Sequence, residues 1–219
     1  YGLNLLGNLY REIGLFEKAN DILIKTLRIE EKTLGKDHVK VASTLFAIGE
    51  NNNEANQFKK AESFFLRALE IEKQKLGLNN KQTAITLNAL GENYLELGLY
   101  KEAEINIKKA LSIKEKILSP DDKSIAMSLN DLALVNWYKG EFSEAEPLLL
   151  RALSIWEKVY GNESGFNIDF QYYNILSEKL IDVKSDYIFN PDMAIGNAIN
   201  TVQLSLDLQS IETEFVLNS

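Results

Sequence analysis

Cysteine is absent from this chain, and histidine occurs once, as His38. Disulfides are thereby excluded, as are zinc sites built on cysteine and histidine and any Cys/His dyad within these residues. No apolar run approaches the roughly 18 residues that cross a bilayer, and no signal-peptide pattern opens the chain. A cytoplasmic protein without a membrane partner is the expectation. Basic residues number 24 against 32 acidic ones, for a net charge of −8 and a pI near 4.9. That balance lacks the concentrated basic surface that phosphate demands, so nucleic acid is not an expected partner. No nucleophile–base pair, phosphate-binding glycine loop or metal-ligand cluster can be found, so neither an enzyme, a cofactor nor a metal is expected. What remains is 45% hydrophobic and 26% charged, which is ordinary for a folded globular chain.

The sequence instead repeats itself every 42 residues. Leu34, Leu76, Leu118 and Tyr160 fall in register, each followed by a small residue: Gly35, Gly77, Ser119 and Gly161. Leu3, Leu45, Leu87 and Leu129 align too, as do Ala19, Ala61, Ala103 and Ala145, and Ile29, Ile71, Ile113 and Ile155. A period in this range marks a solenoid, whose units are too small to bury their own apolar faces and must stack on their neighbours.

Inside each unit the apolar positions follow a helical period twice, with one interruption. Ile85, Leu87, Leu90, Tyr94 and Leu97 make one stripe; Tyr100, Ala103, Ile107, Ala110, Leu111 and Ile113 make the next. Gly14, Gly98 and Gly140 supply a left-handed residue between the two helices, and Asn56 takes that place in the second unit. The aligned alanines read as close-approach points between helices. Ser143 with Glu146 reads as a capping box, Asp121-Asp122 as a helix N-cap, and His38 as a linker residue.

The run Leu87-Asn88-Ala89-Leu90-Gly91-Glu92-Asn93-Tyr94, continued by Gly98-Leu99-Tyr100-Lys101-Glu102-Ala103-Glu104, resembles a tetratricopeptide (TPR) repeat. The linker Ile29-Glu30-Glu31-Lys32-Thr33-Leu34-Gly35-Lys36-Asp37-His38-Val39 is similar to the 42-residue repeats of the kinesin light chain type, as are Glu144-Ala145-Glu146-Pro147-Leu148 and Arg151-Ala152-Leu153. The resemblance implies an all-α fold, a right-handed α-α superhelix. Four TPR-like pairs are expected over 1–164, divided as 1–40, 41–82, 83–124 and 125–164. Residues 165–219 are expected to form a degenerate repeat and a C-terminal capping helix, with Asn190-Pro191-Asp192 restarting a helix. Tyr1 already lies inside a helix by register, and Phe215, Val216 and Leu217 make a poor solvent-facing end. A piece of a larger polypeptide is therefore expected.

In arrays of this family, ligands lie along the concave face made by the first helix of each pair. Carried onto this sequence, that face comprises Asn4, Asn8 and Arg11; Phe46, Glu50 and Asn53; Asn88, Glu92 and Leu95; Asn130, Leu134 and Trp137. An asparagine amide both donates and accepts, so a column of them suits a peptide backbone of any sequence, although the same residues also bond between repeats. Arg11 faces Glu12, Glu50, Glu54, Glu92 and Glu96 on these helices, the wrong balance for clamping a C-terminal carboxylate. The expected partner is a protein or peptide segment of basic or mixed basic and apolar character. The alternative reading is a regulatory or sensor arm of a larger enzyme, such as a caspase-like (CHAT-type) peptidase or signalling NTPase, with the chemistry outside this chain. Trp137 with Tyr138 offers aromatic anchors. Lys25, Arg67, Lys109 and Arg151 read as a solvated outer row. Glu30, Glu72 and Lys114 also read as solvated, which makes Trp156 odd in the same register. Asn52 stands where Tyr10 and Tyr94 do, and needs a backbone partner if buried.

Overall fold

The computed structural model describes residues 2–160. The degenerate repeat and capping helix expected over 165–219 lie outside the described residues. Among the described residues there are eight α-helices and no strand. They are α1 (Gly2–Glu12), α2 (Phe16–Leu34), α3 (Val39–Glu54), α4 (Phe58–Lys75), α5 (Lys81–Glu96), α6 (Tyr100–Ile117), α7 (Lys123–Tyr138) and α8 (Phe142–Tyr160). The all-α solenoid expected from the repeat is what forms.

The boundaries recur because their chemistry recurs. His38, Asn80 and Asp122 share one register position and cap α3, α5 and α7. Their side chains accept from the backbone N–H two residues on, at 3.1, 2.8 and 2.8 Å, satisfying a donor that the first helical turn leaves orphaned. Between the helices of a pair the backbone turns through a positive φ at Gly14, Asn56, Gly98 and Gly140. At each turn the next N–H reaches back to a helix carbonyl, Leu15 to Tyr10, Gln57 to Asn52, Leu99 to Tyr94 and Glu141 to Asn136. Asn56 does this at φ 57°, in the region asparagine tolerates best after glycine.

The expected capping box does not form. Ser143 is already helical in α8, and its hydroxyl donates to the neighbouring Glu144 carboxylate at 2.9 Å. The second helices all begin on the aligned aromatics Phe16, Phe58, Tyr100 and Phe142, which places α8's start ahead of Ser143.

Close packing within a pair depends on one small position. Gly7, Gly49 and Gly91 face Leu23, Phe65 and Ile107, and a Cβ at Gly91 would lie 2.4 Å from Ile107 Cγ1 and 3.3 Å from the Ala103 carbonyl oxygen. Ala19, Ala61, Ala103 and Ala145 are buried, as expected of close-approach points. Ala133 takes the glycine position in the fourth pair and is itself fully buried. Beyond the pair, the apolar flank is covered by the next unit: Leu23 and Leu27 of α2 pack with Val41, Ala42, Leu45 and Ile48 of α3 and with Ala68 and Ile71 of α4. Asn52 is buried, and its amide donates 2.7 Å to the Ile48 carbonyl on its own helix. The second unit therefore holds its polar substitution without an orphaned donor.

Gly91→Ala should lower unfolding stability by about 1–3 kcal/mol, overpacking outweighing the better helix propensity of alanine. Adding Ile107→Leu, the residue type opposite Ala133, should recover part of that loss. Urea titrations of the single and double variants would show it, and an unchanged midpoint for Gly91→Ala would contradict the close-approach account.

Candidate functional site

The first helices form one side of the stack. α1 touches α3, α3 touches α5 and α5 touches α7, whereas the second helices make no comparable row. The first helices thus make one row, called the inner row below, and the twelve residues picked from the sequence lie on them, three to a helix. Eleven of them are half-buried and Asn88 is buried.

At the first pair, the Asn4 amide donates to Thr44 Oγ1 at 3.1 Å, and Thr44 in turn donates to Glu30 at 2.7 Å. Arg11 bridges to Glu50 and lies 3.5 Å from Glu54, so the one arginine neutralises part of the acidic row. Asn4, Asn8, Asn53 and Asn130 each leave a buried side-chain oxygen without a partner. Phe46 packs at 5.7 Å against the Phe65 ring. Toward the other end the row turns apolar, with Leu95, Leu134 and Trp137. The Trp137 ring meets Phe142 edge-on at 4.8 Å. Its neighbour Tyr138 is exposed and stacks flat on Tyr100, 5.7 Å away.

Behind this face runs a second row that the sequence reading placed in solvent. Glu72 is 0% exposed and Lys114 5% exposed. Both sit between successive repeats, each meeting a hydroxyl of the next first helix. Thr86 donates to Glu72 at 3.0 Å, and Lys114 donates to Ser128 at 2.6 Å. The reason is the register: these positions sit on the flank of the second helix that the following unit covers. Trp156, half-buried, occupies the same register position, so it replaces an interface residue and not a solvated one. The outer row does face solvent, where Arg67 pairs with Glu31 and Arg151 with Glu115 across repeats; such pairs contribute little each.

The polarity of the hidden row decides how the face is presented. At Glu30 the Thr44 hydroxyl donates to the carboxyl oxygen and accepts from the Asn4 nitrogen. Lys114 only donates, so Asn88 must turn its oxygen inward, toward Lys114 at 3.3 Å and toward the Ser128 hydroxyl. The Asn88 nitrogen then points along the face, donating to Glu92 and, at 2.7 Å, to Asp131. Asn88 is thus fully engaged between repeats. Asp131 was not singled out from the sequence, yet it carries a signal: its aligned neighbours are Leu5, Ala47 and Ala89. Asn51 and Asn93 were likewise missed as ties, and donate 3.0 and 3.2 Å to the carbonyls of Phe16 and Phe58. Among the described residues no group of three His, Asp or Glu side chains is placed to hold a metal ion, and no helix is long and apolar enough to cross a membrane.

Burial pushes the Glu72 carboxyl above the ordinary carboxylate range, with hydrogen bonds from Thr86 and Gln82 offsetting part of the rise. One of its oxygens has no partner. The folded state thus holds a proton that the unfolded chain has already lost, and its stability falls as pH rises out of the acid range. Glu72→Met with Thr86→Val, removing both partners, should stabilise the protein by about 1 kcal/mol at neutral pH. The gain should shrink in acid, where the native carboxyl is protonated; thermal melts across pH would reveal a constant gain if this account were wrong.

Comparison with known proteins follows the geometry. No curated protein matches the chain. Among solved structures, BtubC (BKLC) from P. vanneervenii is similar at 23% identity and a TM-score of 0.67, covering 75% of this chain and 66% of its own. A Podosopora anserina putative kinesin light chain with nearly identical TPR-like repeats gives 18% identity and a TM-score of 0.71, over 94% of this chain and 95% of its own. The apo form of RapI gives 17% and 0.68, over 97% of this chain and 55% of its own. This chain therefore spans about two thirds or less of BtubC and RapI, and these likenesses speak to the fold. The tetratricopeptide repeat pattern itself matches residues 2–74, 56–116 and 82–158, and the chain belongs to the tetratricopeptide repeat family.

Proposed function

We propose that this chain is a protein-interaction module whose first-helix face receives an extended segment of a partner protein, without chemistry of its own. The observation that carries the reading is the inner row itself. It runs across four repeats as a row of mostly half-buried side chains, among them the amides at 4, 8, 53 and 130. Half-buried amides that can both donate and accept suit the backbone of an extended segment. Leu95, Leu134 and Trp137 supply an apolar floor at one end, while Glu50, Glu54 and Glu96 supply acid along the middle. A segment with basic residues followed by an apolar anchor fits that order, with the apolar residue seated near Trp137.

Asn88 belongs to the junction between repeats, so its replacement by alanine should reduce stability. Asn130 bonds to Asp131 at the same junction, so Asn8 and Asn53 test the groove more cleanly. Peptides selected from a displayed library on the intact chain should be enriched in lysine or arginine and in large apolar residues. Trp137→Ala should weaken them by about 2 kcal/mol or more, as expected of a central aromatic anchor. Asn8→Ala with Asn53→Ala should weaken them further while leaving the melting temperature nearly unchanged. Hydrogen exchange would map the footprint. Protection confined to the helix ends, or to the outer row around Arg67 and Arg151, would overturn the groove reading in favour of a regulatory arm that docks by those surfaces.

A further inference from the structure

The junction between the third and fourth pairs departs from the others at two register positions at once. Glu30 and Glu72 are succeeded by Lys114, and Leu5, Ala47 and Ala89 by Asp131. The cation enters the hidden row, and the anion enters the inner face one repeat later. They form no ion pair with each other. Lys114 spends its hydrogens on neutral atoms: Asn88 Oδ1, the Ser124 carbonyl at 3.1 Å and Ser128 Oγ. Asp131 and Glu92 both draw on the single Asn88 amide, and the two carboxyl groups also lie within hydrogen-bonding reach of each other. Two carboxyl oxygens can bond only if one of them carries a proton.

We infer that the third–fourth junction is a proton-operated latch: a proton shared by the Glu92 and Asp131 carboxyls holds α5 to α7 across Asn88, and its loss loosens the junction and makes this stretch of the inner face acidic.

The surrounding charges agree with the geometry. Glu92 is pushed up to about 8, first by burial and then by the charge of Asp131. Asp131 is pushed up as well, again chiefly by burial. Glu50, facing them from α3, adds to the rise at Glu92, though Arg11 of α1 holds Glu50 in an ion pair. Lys114 from α6 opposes the rise, while burial lowers its own pKa. Asp122, ahead of α7, acts on Lys114 and has Lys81 close by. The sign follows. A carboxyl whose folded pKa is raised binds a proton in the folded state that the unfolded chain releases near its ordinary value, so stability is lost as pH climbs from there toward about 8. Lys114 works in the other sense at higher pH, because the folded state gives up that proton first.

The consequence for a ligand rests on the groove reading, since an ionised pair would favour a basic segment. The latch itself is read in the free protein. Amide exchange corrected for its intrinsic pH dependence should show α5 and α7 losing protection by about tenfold or more between about pH 6 and about pH 9, relative to α3. Glu92→Gln, which keeps the neutral form, should abolish that difference, and Asp131→Asn should do the same. Carboxyl carbon resonances in the native chain provide a second measurement, in which Glu92 should titrate well above the free-carboxylate range. Uniform loss of protection along all first helices, a full pH response surviving in Glu92→Gln, or ordinary titration of both carboxyls would each overturn the latch. A peptide footprint away from the groove would sink the groove reading and leave the latch standing.

Discussion

A helix pair of this length covers only one flank of its own apolar surface. The uncovered flank must be met by the next pair, and that requirement organises everything else in the array. Leu23 and Leu27 pack with Val41, Leu45 and Ile48 of the following unit. The glycines at 7, 49 and 91 serve the same end, since helices that approach this closely can align their flanks into one continuous surface. Stability is then a chain of nearest-neighbour terms, and each junction can be changed without rebuilding the rest.

That local independence lets polar chemistry enter the interfaces one junction at a time. A carboxyl group half-buried at position 30 or buried at 72, or a buried ammonium at 114, is costly unless a neighbour bonds it. Here the neighbour is a hydroxyl on the next first helix: Thr44, Thr86 or Ser128. A hydroxyl both donates and accepts, so the same slot tolerates either sign of charge. The sign then passes through the hydroxyl to the asparagine on the inner face, whose amide turns one way at Asn4 and the other at Asn88. A buried substitution thereby changes what the surface presents.

Much of the candidate site was legible in sequence once the register was known. Aligned positions 4, 46, 88 and 130 share one place in the 42-residue register, and all twelve chosen residues fall on first helices. What sequence did not reveal was their pairing. Arg11 reads as one cation among five glutamates, but it is spent on Glu50 and Glu54. Asn88 reads as a groove residue, but it is the spacer of a junction. Glu72 and Lys114 read as solvated because charge usually is; burial overrules charge where the following unit covers the helix.

The sequence by itself determined the helical pairs, their turns at Gly14, Asn56, Gly98 and Gly140, and the stacking of one unit on the next. These depend on local backbone preference and on the periodicity of apolar residues, both of which are written along the chain. Tertiary structure alone decided which polar groups meet. Asn88 and Asp131 are far apart in the chain yet share a hydrogen bond, and the ionisation of Glu92 and Asp131 beside that bond depends on how completely burial excludes water from them. No spacing rule encodes that exclusion, because it arises only when separate units close on one another.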